Sequence, residues 1–164
     1  MSKLKFSENI KMVVTDFDGV ITNNCVYVDE KGNMSRRLNF RDIMAFSLLK
    51  KNGYIIAIIS GEKNSSIDLI KEKFEIEDVH CNIRIKKTVL ENLLNKYGLK
   101  KDEYIYIGDD VNDKECLEMT KYKVTVNNAH KSILKIKNIQ ITKNNGGEGA
   151  FREIADCLLE YRHK

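Results

Sequence analysis

The sequence predicts an α/β fold: a doubly wound, Rossmann-like parallel sheet with helices on both faces. Short apolar runs of strand length alternate along the chain with longer segments of helical period. Three of those runs end in polar, glycine-bearing turns: Asp16-Phe-Asp18-Gly19, Ser60-Gly61-Glu62-Lys63 and Gly108-Asp109-Asp110. The chain has 164 residues, 42% of them apolar and 32% charged, which suits one domain with a sizeable core.

Residues 12–15 read as a buried strand. Residues 26–28 and 35–40 flank the turn-rich Asp29-Glu-Lys-Gly-Asn33 and predict a small β-hairpin. A helix follows over 42–52, with Ile43, Phe46 and Leu49 spaced at three and Gly53 as its stop. Residues 54–59 are a strand, 64–74 a helix capped by Asn64 or Ser65, and 78–80 a short strand. The helix 86–97 closes at Gly98, and 104–107 is another strand. A helix over 111–119, strands over 123–126 and 139–141, and an amphipathic helix over 149–161 complete the chain. The stripe Phe151, Ile154, Leu158 and Tyr161 on that last helix suits core or subunit contact. Tyr97, Tyr104 and Tyr106 mark element ends and suit packing. No repeat or linker is present, so a single domain over residues 1–164 is expected.

Composition excludes several functions. Net charge is +4, with 28 Lys+Arg spread against 24 Asp+Glu, which argues against nucleic-acid binding. Cys25, Cys81, Cys116 and Cys157 form no CxxC and suit reduced thiols better than disulfides or zinc ligands. His80, His130 and His163 show no ligand spacing. No segment suits a signal peptide or the ~20 apolar residues of a membrane span, so a cytoplasmic location is expected.

Ligands of such sheets bind beyond the carboxyl ends of the strands. Right-handed crossovers bring the three polar turns to one rim, gathering up to five carboxylates: Asp16, Asp18, Asp109, Asp110 and Asp113. Two like charges ~4 Å apart repel by about 4 kcal/mol at an effective dielectric near 20, so the group needs a cation. Hard oxygen donors without nearby His or Cys favour Mg²⁺. A calcium loop fits poorly, because the twelfth position counted from Asp16 is Tyr27 rather than Glu. Lys86 opens a helix near the same rim and can neutralise a phosphate. Ser60 offers a hydroxyl, and Gly61 lets backbone N–H groups approach an anion.

In this order, Asp16-Phe-Asp18-Gly19, Ser60, Lys86 and Gly108-Asp109-Asp110-Val-Asn-Asp113 resemble the four motifs of the haloacid dehalogenase superfamily of phosphatases. Phe40-Arg41-Asp42, Ile59-Ser-Gly-Glu-Lys63 and Gly146-Gly-Glu-Gly-Ala-Phe-Arg-Glu153 narrow the resemblance to its capless branch. That branch holds 3-deoxy-manno-octulosonate 8-phosphate phosphatases, nonulosonate 9-phosphate phosphatases and the phosphatase-like domain fused to some sialic-acid cytidylyltransferases. The resemblance implies Asp16 as nucleophile and Asp18 as general acid and base. It implies Mg²⁺ held by Asp16, the Asp18 carbonyl and Asp109, a phosphoryl group bound by Ser60 and Lys86, and support from Asp110 and Asp113. It also implies a pathway such as lipopolysaccharide or sialic-acid synthesis.

Glu62 and Glu148 stand where octulosonate phosphatases commonly carry basic residues, closer to the nonulosonate type. His80-Cys-Asn82 replaces a stretch that often carries glycine. The chain has no room for a cap, and in the resembling family four subunits form a ring in which neighbours close the pockets. A homotetramer is therefore expected, with the hairpin 26–38 and the 146–153 tail at the interfaces. Arg41, Glu62, Lys63 and Arg152 are the candidate contacts to an acidic sugar. A catalytically idle oligomerisation domain is the competing expectation. A phosphoacceptor receiver domain fits poorly, since it lacks the second acid of the Asp16–Asp18 pair.

Overall fold

A computed structural model describes residues 4–162. His163 lies outside the described residues. The elements in order are β1 (Met12–Thr15), β2 (Tyr27–Val28), β3 (Met34–Ser35), α1 (Phe40–Lys51), β4 (Ile55–Ile59), α2 (Ser65–Phe74) and β5 (Asp78–His80). There follow α3 (Lys86–Tyr97), β6 (Tyr104–Ile107), a 3-10 turn (Val111–Asp113), α4 (Lys114–Met119), β7 (Tyr122–Thr125), α5 (Lys131–Leu134), β8 (Gln140–Ile141) and α6 (Ala150–Arg162). Six strands form one sheet in the order β5-β4-β1-β6-β7-β8, and every pairing in it is parallel. The second sheet is the antiparallel hairpin β2-β3. This is the predicted doubly wound architecture.

The central strands are apolar throughout because both faces of a parallel sheet are covered. Met12, Val13 and Val14 of β1 and Ile105, Tyr106 and Ile107 of β6 have no solvent exposure. The chain runs outward from β1 through β4 to β5, then crosses back to β6 and runs outward on the other side. The order therefore reverses between β1 and β6, and the crevice beyond their carboxyl ends is where such folds bind ligands.

Local chemistry sets the element ends. Helix α1 starts at Phe40, two residues before the predicted start, because the Asn39 side chain accepts from Arg41 N at 2.9 Å. Asn64 caps α2 through bonds from Ser66 N and Ile67 N. The predicted helix over 111–119 is split, because Asp110 and Asp113 form a reciprocal capping box around the 3-10 turn. The short helix α5 carries too little apolar period to be read from the sequence. The hairpin has only two residue pairs, fewer than its flanking apolar runs suggested.

Asp42 explains why two distant sequence stretches belong together. It sits in the first turn of α1, fully buried, and accepts from Gly149 N and Arg152 N, both at 2.9 Å. It thereby caps α6 from across the molecule, satisfying N–H groups that the helix cannot pair itself. Burial raises the Asp42 pKa above its usual value, and the bonds from α6 oppose the rise. Asp78 at the start of β5 shows the opposite balance. Burial pushes it up, but Lys96 Nζ at 2.8 Å and the Tyr97 hydroxyl at 2.5 Å outweigh burial and hold it below its usual 3.8.

Asp42→Ala is expected to lower unfolding free energy by about 1–3 kcal/mol in urea titrations, through the lost cap and unpaired buried N–H groups. Because Asp78 has a lowered pKa when folded, its stabilisation is complete above 3.8 and fades as pH falls through the lowered value. Asp78→Asn should therefore narrow the stability difference between neutral and strongly acidic solution, as read by urea midpoints across that range.

Candidate active site

Asp16 extends β1 by one residue, its N–H donating to Ile107 O at 2.9 Å, so its position is fixed by the sheet. Asp16 Oδ1 accepts from Phe17 N at 2.7 Å, and Oδ2 lies 2.9 Å from Lys86 Nζ. Lys86 is the first residue of α3, and its side chain is fully buried. An ammonium there opposes the helix dipole, and no side chain caps this helix end. Two carboxylates compensate: Asp16 and, at 2.8 Å, Asp113. Burial alone would lower the Lys86 pKa, but Asp113 and Asp16 hold it above the usual lysine value, so the side chain stays charged.

Asp113 is the anchor of the site. Its Oδ1 accepts from Lys86 and from the Tyr106 hydroxyl at 2.8 Å, and its Oδ2 accepts from Asp109 N at 3.1 Å and Asp110 N at 3.4 Å. Gly108 leaves room for this, since a Cβ there would lie 2.4 Å from Asp113 Cβ. Asp109 is different. Its Oδ1 is buried with no hydrogen-bond partner, and burial, then Asp113 and Asp110, push its pKa up to about 7. Burial likewise pushes Asp16 well above the usual carboxylate range, and Asp113 adds to it against the pull of Lys86.

Carboxylate oxygens of Asp16, Asp109 and Asp113 lie within 4.8 Å of one another. Asp113 is already saturated with donors, so Asp16 and the unpartnered Asp109 Oδ1 are the groups that fit a cation. The all-oxygen donor set suits Mg²⁺. Gly19 preserves this geometry: its φ is +91°, and a Cβ there would lie 2.0 Å from Asp109 Oδ2.

A cavity of about 130 Å³ opens over these groups. Asp16, Asp18, Ser60, Gly61, Glu62, Asp109 and Asp110 line it together with Asn24 and Asn112. Ser60 is buried, and its Oγ accepts from Glu62 N at 3.2 Å. Lys86 and Asp113 lie beneath this lining rather than in it. Of the four candidate sugar contacts, Glu62 borders the cavity. Arg41 and Arg152 line a separate cleft of about 710 Å³ with Glu148, and the exposed Lys63 lines neither. Sequence reasoning missed Asn24 and Asn112, whose types carry no signal by themselves. It assigned Tyr106 to packing; the residue is fully buried, and its hydroxyl also bonds Asp113.

The sequence pattern of the haloacid dehalogenase-like hydrolases matches residues 24–154. The chain belongs to this family. The matched span contains Ser60, Lys86 and Asp109 and begins after Asp16 and Asp18. The chain is 28% identical to the 3-deoxy-D-manno-octulosonate 8-phosphate phosphatase KdsC of Escherichia coli strain K12, over 93% of this chain and 81% of that protein. The Moraxella catarrhalis enzyme of that name, solved with magnesium, phosphate and KDO, superposes with a TM-score of 0.89 at 26% identity, covering 95% of this chain and 89% of that one. The cobalt-bound Haemophilus influenzae phosphatase superposes with a TM-score of 0.88 at 27% identity, covering 96% and 91%.

Between Asp18 and Ser60 the described residues hold only the β2-β3 hairpin, α1 and the sheet strand β4, so no cap is inserted there.

Saturating MgCl₂ is expected to raise the Tm by about 5–10 °C at roughly a hundredfold excess over Kd. Asp109→Asn and Gly19→Ala should each abolish that shift, the first by removing a ligand and the second by displacing it. Differential scanning calorimetry with and without the metal reads this directly.

Proposed function

We propose that the chain is a single phosphatase domain over residues 1–164 that hydrolyses a phosphorylated 2-keto-3-deoxy sugar acid. The observation that carries the reading is Asp16, fixed at the end of β1 and bonded to a buried, charged Lys86 at 2.9 Å. A carboxylate is a weak nucleophile toward a phosphate dianion unless the site cancels their repulsion. Lys86 supplies one positive charge. Bound Mg²⁺ would supply the other, held by Asp16, Asp109 and the Asp18 carbonyl.

Asp16 attacks phosphorus, forming an aspartyl-phosphate as the sugar alkoxide leaves. Asp18 gives that alkoxide its proton, then takes a proton from water. The resulting hydroxide adds to phosphorus, and the bond to the Asp16 oxygen breaks, restoring the carboxylate and releasing phosphate. Ser60 and Gly61 present a hydroxyl and a backbone N–H to the phosphoryl oxygens. Asp113 keeps Lys86 in place, and Asp110 holds the following turn.

The octulosonate phosphatases among the relatives support an eight-carbon substrate class, while Glu62 at the cavity edge supports a nonulosonate 9-phosphate. In the second substrate assignment the cavity contact is made by an acid that accepts from sugar hydroxyls. The exposed apolar hairpin residues Tyr27, Val28 and Met34 support a homotetramer in which neighbours cover the open cavity and bring the Arg41–Arg152 cleft near it. No described helix is long and apolar enough to cross a membrane.

Purified protein should hydrolyse both the octulosonate 8-phosphate and a nonulosonate 9-phosphate in magnesium-dependent fashion, with the higher kcat/KM identifying the substrate. Asp16→Asn should abolish turnover with either. Turnover that ignores EDTA, or none with any phosphate ester, would favour the idle oligomerisation domain. Light scattering should give four times the 19.0 kDa of one chain.

A further inference from the structure

Asp18 is held in a way that the motif alone does not indicate. Its Oδ1 accepts two bonds, from Thr22 Oγ1 at 3.1 Å and from Arg36 Nε at 2.7 Å. Its Oδ2 is buried and has no partner. Thr22 is fully buried, and its Oγ1 also accepts from Gly19 N at 3.2 Å and Asn24 N at 3.3 Å, so the turn after β1 fixes the hydroxyl. Arg36 comes from elsewhere. It follows β3 on the hairpin, eighteen residues along, and its side chain is only 9% exposed although the neighbouring hairpin residues are open to solvent. The hairpin residues before Arg36 are exposed, and Leu38 after it packs against the core. An arginine drawn inward from the hairpin onto the second acid of the site makes a part-buried ion pair, whereas the neighbouring pair of Arg37 with Glu148 is exposed.

We propose that Arg36 is a positioning residue for Asp18: it immobilises Oδ1, so that Oδ2 is the atom that exchanges protons, and it ties that atom to the placement of the hairpin. The inference rests on the phosphatase reading above. With Oδ1 engaged by a rigid hydroxyl and a guanidinium, the carboxylate is held against rotation, and Oδ2 is left as the unbonded acceptor of a residue that lines the cavity. This matters most in the second half-reaction. There Oδ2 takes a proton from the incoming water, the hydroxide bonds to phosphorus, and the electron pair of the breaking P–O bond returns to Asp16. A freely rotating carboxylate would spend much of its time off this line, and misplacement of a catalytic group costs rate steeply.

The test uses p-nitrophenyl phosphate, whose aryl leaving group departs without a proton. For this ester kcat/KM reports formation of the aspartyl-phosphate, and kcat falls once its hydrolysis becomes limiting. Arg36→Ala should lower kcat by about 10–100-fold while leaving kcat/KM within about threefold, so that KM falls with kcat. A pre-steady-state burst of nitrophenolate should appear in this variant. Arg36→Lys should recover part of kcat, because an ammonium can still donate to Oδ1. Arg37→Ala is the control, since Arg37 reaches Gly147 O and Glu148 rather than Asp18 and should leave both parameters native-like. Equal falls in kcat and kcat/KM would show a structural role and overturn the proposal. A raised KM with kcat unchanged would show phosphoryl binding and overturn it equally. Failure of the native protein to turn over any ester with magnesium would instead overturn the phosphatase reading, and this proposal with it.

Discussion

The structure depends on one buried ion-pair network: the Lys86 ammonium held between Asp16 and Asp113. It lies at a helix N-terminus, where the backbone dipole disfavours a cation, and in a core position, where desolvation disfavours any charge. Neither cost would be tolerated for packing alone. The network exists because the strand order reverses between β1 and β6, so that the ends of β1 and β6 and the start of α3 converge on one crevice. Residues 16, 86 and 113 are far apart in the chain, and their polar atoms meet within 3 Å.

The consequence is a site in which each acid has a separate task set by its partners. Asp113 is saturated with donors and serves as scaffold. Asp109 keeps an unpartnered buried oxygen and is thereby fitted to a cation. Asp16 shares its oxygens between a backbone N–H and the lysine. Asp18 lines the same cavity and is held through Oδ1 by Thr22 and Arg36. Glycines at 19 and 108 make this density possible, because a Cβ at either would overlap a carboxylate.

Much of this was legible in the sequence because strand ends and period are local signals. The apolar run before Asp16 and the helix opening at Lys86 place both residues at the rim without reference to any other part of the chain. The fold class followed from the same alternation. What the sequence could not reveal depends on contacts between distant segments. Asp42 looks like an ordinary first-turn acid, and only its 107-residue reach to Gly149 makes it the cap of α6. Arg36 looks like one of many surface cations until the hairpin folds it onto Asp18. Tyr106 reads as strand packing, since it lies in an apolar run and its hydroxyl finds Asp113 only through the turn after β6. Arg41 and Arg152 were grouped with Glu62 and Lys63 by motif, yet within one chain they share a cleft apart from the acidic cavity.

The central claim is that Asp16, made competent by Lys86 and a divalent cation, forms the covalent intermediate. Borohydride reduction during steady-state turnover, followed by peptide mass mapping, tests it most directly, because an acyl phosphate is reduced to the alcohol whereas a free carboxylate is not. The account predicts homoserine at position 16, appearing only with both substrate and magnesium present. Reduction at another acid, or active turnover in which residue 16 is always recovered as unmodified aspartate, would contradict it.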